Sequence, residues 1–357
     1  MDREPDVFTF STLFSACSNL RSLDAGRAIH KRLGKSLVSD LILQNALLNM
    51  YSKCGSLADV RKIISRGLES DTVVGTALVN MYARCGDVVT ARTNFDNLCS
   101  KNIVSWNAMI AGYVQAGSSQ EALLLYEKMQ QDEAKPKADG LTFASVLAAC
   151  SNLGEISRGR KLHDDVAASD FAEDLIVQNA LVDMYGKCGN LVESRNVFEG
   201  IKSRSVISWT SMVTAYARHG HGAEAVELVW RMSLEGVEAD DVTLTSILQA
   251  CSHSGLVDAA GSVFGTVVRD QGMELSIEHK LCLMDLLGRT GWIEEAEEFL
   301  ASSEDLKARA ASWTSFLSAC ERQSEQGRAG RAAREFGRLH PRESAKFVIL
   351  SNMLHAI

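Results

Sequence analysis

Two rows of small side chains recur along this sequence at spacings of 31 to 37 residues, and nearly all carry hydrogen-bonding groups. One row runs Ser11, Asn45, Thr76, Asn107, Ala144, Asn179, Thr210 and Thr245. The other runs Asp40, Asp71, Asn102, Asp139, Asp174, Ser205, Asp240 and Ser276. An amide both donates and accepts, a hydroxyl can do either, and a carboxylate only accepts. Pairs drawn from these types can therefore read the donor–acceptor pattern on the edge of an unstacked nucleobase. The same residue types cap helices, and at any single position that reading stands beside the first. Taken as a ladder, the two rows favour recognition, because they vary almost wholly within hydrogen-bonding types.

Two further rows keep the same phase. An apolar residue lies three positions before each member of the first row, including Ile42, Val73, Val104, Ile176 and Ile207. Such residues could pack against base faces, which contributes about 1–3 kcal/mol per base, or could simply pack a helix end. Lys53, Arg84, Lys187, Arg218 and Arg289 form a row of cations, with Gln115 in a sixth unit. One cation per unit suits a phosphate backbone, and a solvated helix face is the alternative. The net charge of −8 speaks against nucleic acid at the level of the whole chain. Five of the acidic residues, however, are the aspartates of the second row, so a net-negative chain can still carry a positive stripe.

These rows exist because the sequence is a tandem repeat. Gln44–Gly55 and Gln178–Gly189 are near copies, and Thr76–Gly86 is a third. Ser105–Tyr113 returns as Ser208–Tyr216, and a third type of segment is marked by Cys17, Cys150 and Cys251, each followed by serine. Phasing them gives units 7–40, 41–71, 72–102, 103–139, 140–174, 175–205, 206–240, 241–276 and 277–309, with a related unit from Ala310. Trp106, Trp209 and Trp313 lie 103 and 104 residues apart, a super-repeat of three units. Within a unit, Trp209, Met212, Val213 and Tyr216 make one helical stripe, and Ala225, Val226, Leu228, Val229 and Met232 a second beyond Gly220 and Gly222. Each unit is thus expected to be a hairpin of two short helices that buries its apolar face only by stacking on its neighbours. The expected fold is all-α, a right-handed superhelical solenoid of tandem helix–turn–helix units. The domain expectation is one repeat array over 1–309 and a repeat-like extension over 310–357.

The motifs and the alternating unit lengths resemble the pentatricopeptide repeat family, in its plant-type subclass of long, short and standard repeats. Residues 310–343 look like that subclass's first extension motif, and Phe347–Asn352 like the start of a second, cut off at Ile357. The resemblance implies sequence-specific binding of single-stranded RNA in a mitochondrion or chloroplast, most often to direct C-to-U editing. It also implies roles for each row: base reading for the fifth and last residues of a unit, base sandwiching for the second, phosphate contact for the cations. By the family's pairing rules Asn45/Asp71 implies U, Thr76/Asn102 A, Asn107/Asp139 U, Asn179/Ser205 C and Thr210/Asp240 G, a core of 5′-UAUNCG-3′. Ser11/Asp40, Ala144/Asp174 and Thr245/Ser276 are poor readers by those rules, and Leu281/Arg309 departs from them.

No chemistry of catalysis emerges from the residues. A zinc deaminase needs His-x-Glu and Cys-x-x-Cys, and neither spacing occurs in the sequence. The expectation is a chain that is not itself an enzyme, takes no cofactor or metal, and leaves any deaminase activity to a partner or accessory protein. Cys54, Cys85 and Cys188 share one repeat phase and Cys17, Cys150, Cys251 and Cys320 another, which suits close helix packing rather than disulfides or metal. His219 and His221 could chelate, but a turn between helices accounts for them equally. Nothing approaches an uninterrupted membrane span. The repeat phase runs from Val7, so no targeting peptide is expected within this chain. A helical scaffold for proteins, or a truncated copy without function, remain as alternative readings.

Overall fold

In the computed structural model, the described residues are 5–33, 40–64, 72–132, 134, 136–270 and 272–339. Among them every regular element is a helix and no strand occurs. The chain divides into two compact halves, 1–184 and 185–357.

In the N-terminal half the helices come in pairs: α1 (Val7–Asn19) with α2 (Leu23–Arg32), α3 (Leu41–Lys53) with α4 (Leu57–Ile64), α5 (Thr72–Arg84) with α6 (Val88–Asp96), α7 (Ile103–Gln115) with α8 (Ser119–Gln131), and α9 (Gly140–Leu153) with α10 (Ile156–Ala167). The division between the halves falls within α11 (Leu175–Lys187). The C-terminal half continues with α12 (Leu191–Gly200) and the pairs α13 (Val206–Arg218) with α14 (Gly222–Leu234) and α15 (Asp241–Ser254) with α16 (Val257–Gly265), the last extended by a π turn over Thr266–Asp270. Next come α17 (Ile277–Thr290) with α18 (Ile293–Ser302), the single turn α19 (Glu304–Lys307), and α20 (Ala310–Arg322) with α21 (Gln326–Leu339). The all-α, helical-repeat class expected from the sequence is the one observed.

The local causes repeat with the units. First helices end in a residue of positive φ, which reverses the chain into the second helix. Glycine holds that place at Gly55, Gly86, Gly117, Gly154, Gly189, Gly220, Gly255 and Gly291, with φ between 69° and 87°. Arg21 and Ser324 hold it in the first and last hairpins, at φ 50° and 59°. Where first helices of adjoining repeats meet, small residues allow close approach. A Cβ on Gly112 would lie 2.4 Å from that of Ala83, and one on Gly288 would lie 2.6 Å from that of Ala319. Larger side chains fill the space behind them. Phe95 meets Trp106 edge-on with centroids 4.9 Å apart, and Phe198 meets Trp209 in the same way at 4.9 Å. At the C-terminal end Trp313, Phe316, Leu317, Cys320 and Phe336 close the core.

The nine cysteines are all free thiols. Burial pushes the thiols of Cys251 and Cys320 up to about 11, so they act as small packing residues rather than nucleophiles.

Candidate nucleic-acid interface

In seven repeats the second residue, in the first turn of the first helix, is exposed to solvent. Phe8, Ile42, Val104, Leu141, Ile176, Ile207 and Val242 are each between 55% and 75% exposed. Helix-end packing, the alternative reading of this row, leaves them less than half covered. Val73 holds the same place, and its side chain lies outside the described residues. A stripe of exposed branched and aromatic residues is costly to keep in water, and its strict period sets it apart from scattered surface apolar groups.

The cations lie on the same face. Eleven residues separate the second position from the thirteenth, which at about 100° per residue is three turns and ~20°. Arg84, Lys187, Arg218 and Arg289 are exposed, and Lys53 is half-buried. Among the described residues no carboxylate lies within ion-pair distance of Arg84 or Arg218. Arg289 differs: its Nε donates to Asp285 Oδ2 at 2.7 Å, an oxygen that also accepts from Ser252 Oγ at 2.7 Å.

Some arginines of the second helices, by contrast, pair with carboxylates of the neighbouring repeat. Arg27 meets Asp59 at 2.7 Å, Arg231 meets Glu199 at 2.9 Å, and Arg328 is bound by Glu294 and Glu297. The hydrogen bond from Arg231, helped by the charges of Arg195 and Arg231 against some burial, draws the Glu199 carboxyl down to about 2.

The last residue of a repeat caps the next first helix. Asp40 accepts from the Ile42 and Leu43 N–H groups, Asn102 from Ser105, Asp139 from Thr142, Asp174 from Ile176 and Val177, Ser205 from Ser208, Asp240 from Thr243 and Ser276 from His279, at 2.8 to 3.4 Å. Capping, weighed in the sequence against recognition, is thus a role that these residues carry whatever else they do. Asp71 lies outside the described residues.

The fifth residues are more buried than the sequence suggests. Thr76, Asn107, Asn179 and Thr210 are all less than a tenth exposed, and Asn45 is half-buried. Asn107 and Thr210 reach the last residue of their own repeat. Asn107 Nδ2 donates to both Asp139 carboxylate oxygens at 2.9 and 3.0 Å, and Thr210 Oγ1 lies 3.4 Å from Asp240 Oδ1. Burial alone would raise the Asp139 carboxyl, but hydrogen bonds from Thr142 and Asn107 outweigh it and hold it below the usual range. The Oδ1 atoms of Asn45 and Asn179 are buried without a partner, a costly state for an amide.

The sequence reading missed the third residue of the repeat. Ser105, Thr142, Ser208 and Thr243 are fully buried, and Thr142 and Thr243 bond the fifth residue of the repeat before them. Ser105, Thr142 and Ser208 close capping boxes with the last residue before them. The signal was present, a hydroxyl three positions after the caps Asn102, Asp139, Ser205 and Asp240.

The histidines do not converge. His219 Nε2 pairs with the Gly186 carbonyl at 2.8 Å, whereas His221 Nδ1 pairs with Glu224 at 3.1 Å. Among the described residues no cluster of three metal-ligating side chains occurs.

A model of the PPR repeat family matches residues 101–152 and 204–253, and one of the PPR repeat matches 179–206 and 242–271. A pentatricopeptide repeat-containing protein of Arabidopsis thaliana is 33% identical over 99% of this chain and 52% of its own length. A mitochondrial protein of that description from the same plant is 35% identical over 98% of this chain and 37% of its own, and a chloroplastic one 31% identical over 98% and 43%. The chain spans about half the length of the curated relatives it matches, or less. Among solved structures, the pentatricopeptide repeat protein PPR10 in complex with an 18-nt psaJ RNA element aligns with a TM-score of 0.72 and 15% identity, over 98% of this chain and 58% of that one. That likeness establishes a shared fold.

Proposed function

We infer that this chain, which carries pentatricopeptide repeats, binds single-stranded RNA along the face of its first helices, one base to a repeat. The observation that carries this reading is the row of seven exposed apolar second residues, each with a polar fifth or last residue beside it in sequence. A base stacked between two such residues would hide their apolar surface and bring its edge to the fifth and last side chains. The exposed cations then meet the phosphates. The RNA complex of PPR10, which has the same fold, supports the reading.

The pairs give a parallel register of 5′-UAUNCG-3′, from Asn45/Asp71, Thr76/Asn102, Asn107/Asp139, Ala144/Asp174, Asn179/Ser205 and Thr210/Asp240. The role that fits a binder with no catalytic constellation among its described residues is site recognition for C-to-U editing or another processing step. The deaminase would then come from a partner or accessory protein, in a mitochondrion or chloroplast as for the named relatives.

A gel-shift series with this RNA and its single-base variants tests the reading. Each readable pair should discriminate by about 1–3 kcal/mol. Indifference to the bases at the A and G positions overturns the register, and no binding to any single-stranded RNA would favour a protein-binding scaffold instead.

A further inference from the structure

We propose that Thr142 and Thr243, third residues of their repeats, set the hydrogen-bonding polarity of the base-reading residue in the repeat before. Thr142 holds Asn107 as a donor, and Thr243 holds Thr210 as an acceptor. The proposal rests on the reading that these repeats bind RNA.

The argument follows the protons, because a hydroxyl has only one to give. Thr243 Oγ1 lies 2.6 Å from Asp240 Oδ1 and 2.6 Å from Thr210 Oγ1. An ionised carboxylate cannot donate, so the Thr243 proton goes to Asp240. The Thr210 proton must then go to Thr243, since two hydroxyl oxygens at this distance need a proton between them. Thr210 is left with lone pairs only. Facing the Watson–Crick edge of a base, it accepts from the N1–H or N2–H of guanine and is repelled by the bare N1 of adenine.

At the other site the same residue type produces the opposite polarity. Thr142 Oγ1 lies 2.7 Å from Asn107 Oδ1 and 2.9 Å from Asp139 Oδ1. That carboxylate oxygen already accepts from the Thr142 N–H and from Asn107 Nδ2, each at 2.9 Å. The shorter contact takes the proton, and the Asn107 carbonyl is pinned against Thr142 with its NH₂ towards Asp139. One N–H of that group remains to give. A uracil carbonyl can accept it, whereas the amino group of cytosine cannot.

Asn45 supplies an internal comparison. The third residue of the repeat after it is Val74, which has no proton to offer, and the Asn45 Oδ1 is buried without a partner. Its amide is not pinned in this way, so the first U of the register should be distinguished from C less sharply than the third-position U.

The test uses the full chain and fluorescence anisotropy with a 5′-UAUACG-3′ RNA and its variants at the third and sixth bases. In Thr243→Val the preference for G over A at the sixth base should fall about three- to tenfold, the range one hydrogen bond supplies. In Thr142→Val the preference for U over C at the third base should fall by a similar factor. Other positions should keep their preferences, and Thr243→Ser and Thr142→Ser, which retain the hydroxyl, should restore the lost ones. Melting curves check the fold, and alanine variants replace any valine variant that fails to fold.

Valine variants that keep the wild-type ratios, or that lose affinity equally for every base, overturn the proposal while leaving RNA binding intact. A wild-type chain that ignores both bases overturns the base reading itself, and this proposal falls with it.

Discussion

An isoleucine left more than half in water, as Ile207 is, contributes little to folding. Replacing it with serine should therefore change stability by no more than about 0.5 kcal/mol. If its apolar surface is kept for a base, the same change should weaken RNA binding by about 1–3 kcal/mol. Thermal melting and RNA titration of Ile207→Ser measure the two effects separately, and a loss of stability without a loss of binding would return the residue to the core. The sequence placed apolar residues at this row, but it could not tell an exposed side chain from a packed one, since both are simply apolar. Asn107 shows the converse. Its type suggested an open hydrogen-bonding group, yet it is 4% exposed and already bonded to Asp139 and Thr142.

At the scale of the element, each hairpin depends on one residue in the left-handed region between its helices. Glycine meets that requirement without strain, but Ser324 adopts φ 59° with a side chain. Ser324→Gly should relieve part of a penalty of about 1 kcal/mol, offset by the greater freedom of glycine in the unfolded chain. The expected outcome is a gain of roughly 0.5 kcal/mol in a denaturant titration, and a loss would show that Ser324 contributes something beyond backbone conformation. The helix pairs were legible because an apolar stripe at helical spacing must be buried and glycine breaks it, as at Gly220. The buried hydroxyls of Thr142 and Thr243 were not, because a threonine inside a helix start carries no sign of what the preceding repeat brings against it.

For the whole molecule, a net charge of −8 argued against a polyanionic partner. Placement answers the objection: arginines such as Arg231 and Arg328 are engaged by Glu199 and Glu297 on the second helices, while Arg84 and Arg218 stay exposed on first helices, so a local cationic row coexists with a net-negative chain. Changing Arg84 and Arg218 to glutamine should lower the slope of log affinity against log salt by about 0.7 for each phosphate no longer neutralised. Binding measured across a salt series should weaken equally for all RNA sequences, and an unchanged slope would remove these arginines from the interface. The repeat period, the helical class and the identity of the rows were set by the sequence alone, since periodicity and residue type are properties of the chain itself. Which rows face solvent, which polar groups already satisfy one another, and which charges remain unpaired were decided by the tertiary structure. Those properties arise only when residues about thirty apart in sequence are stacked against each other, as Asn107, Asp139 and Thr142 are.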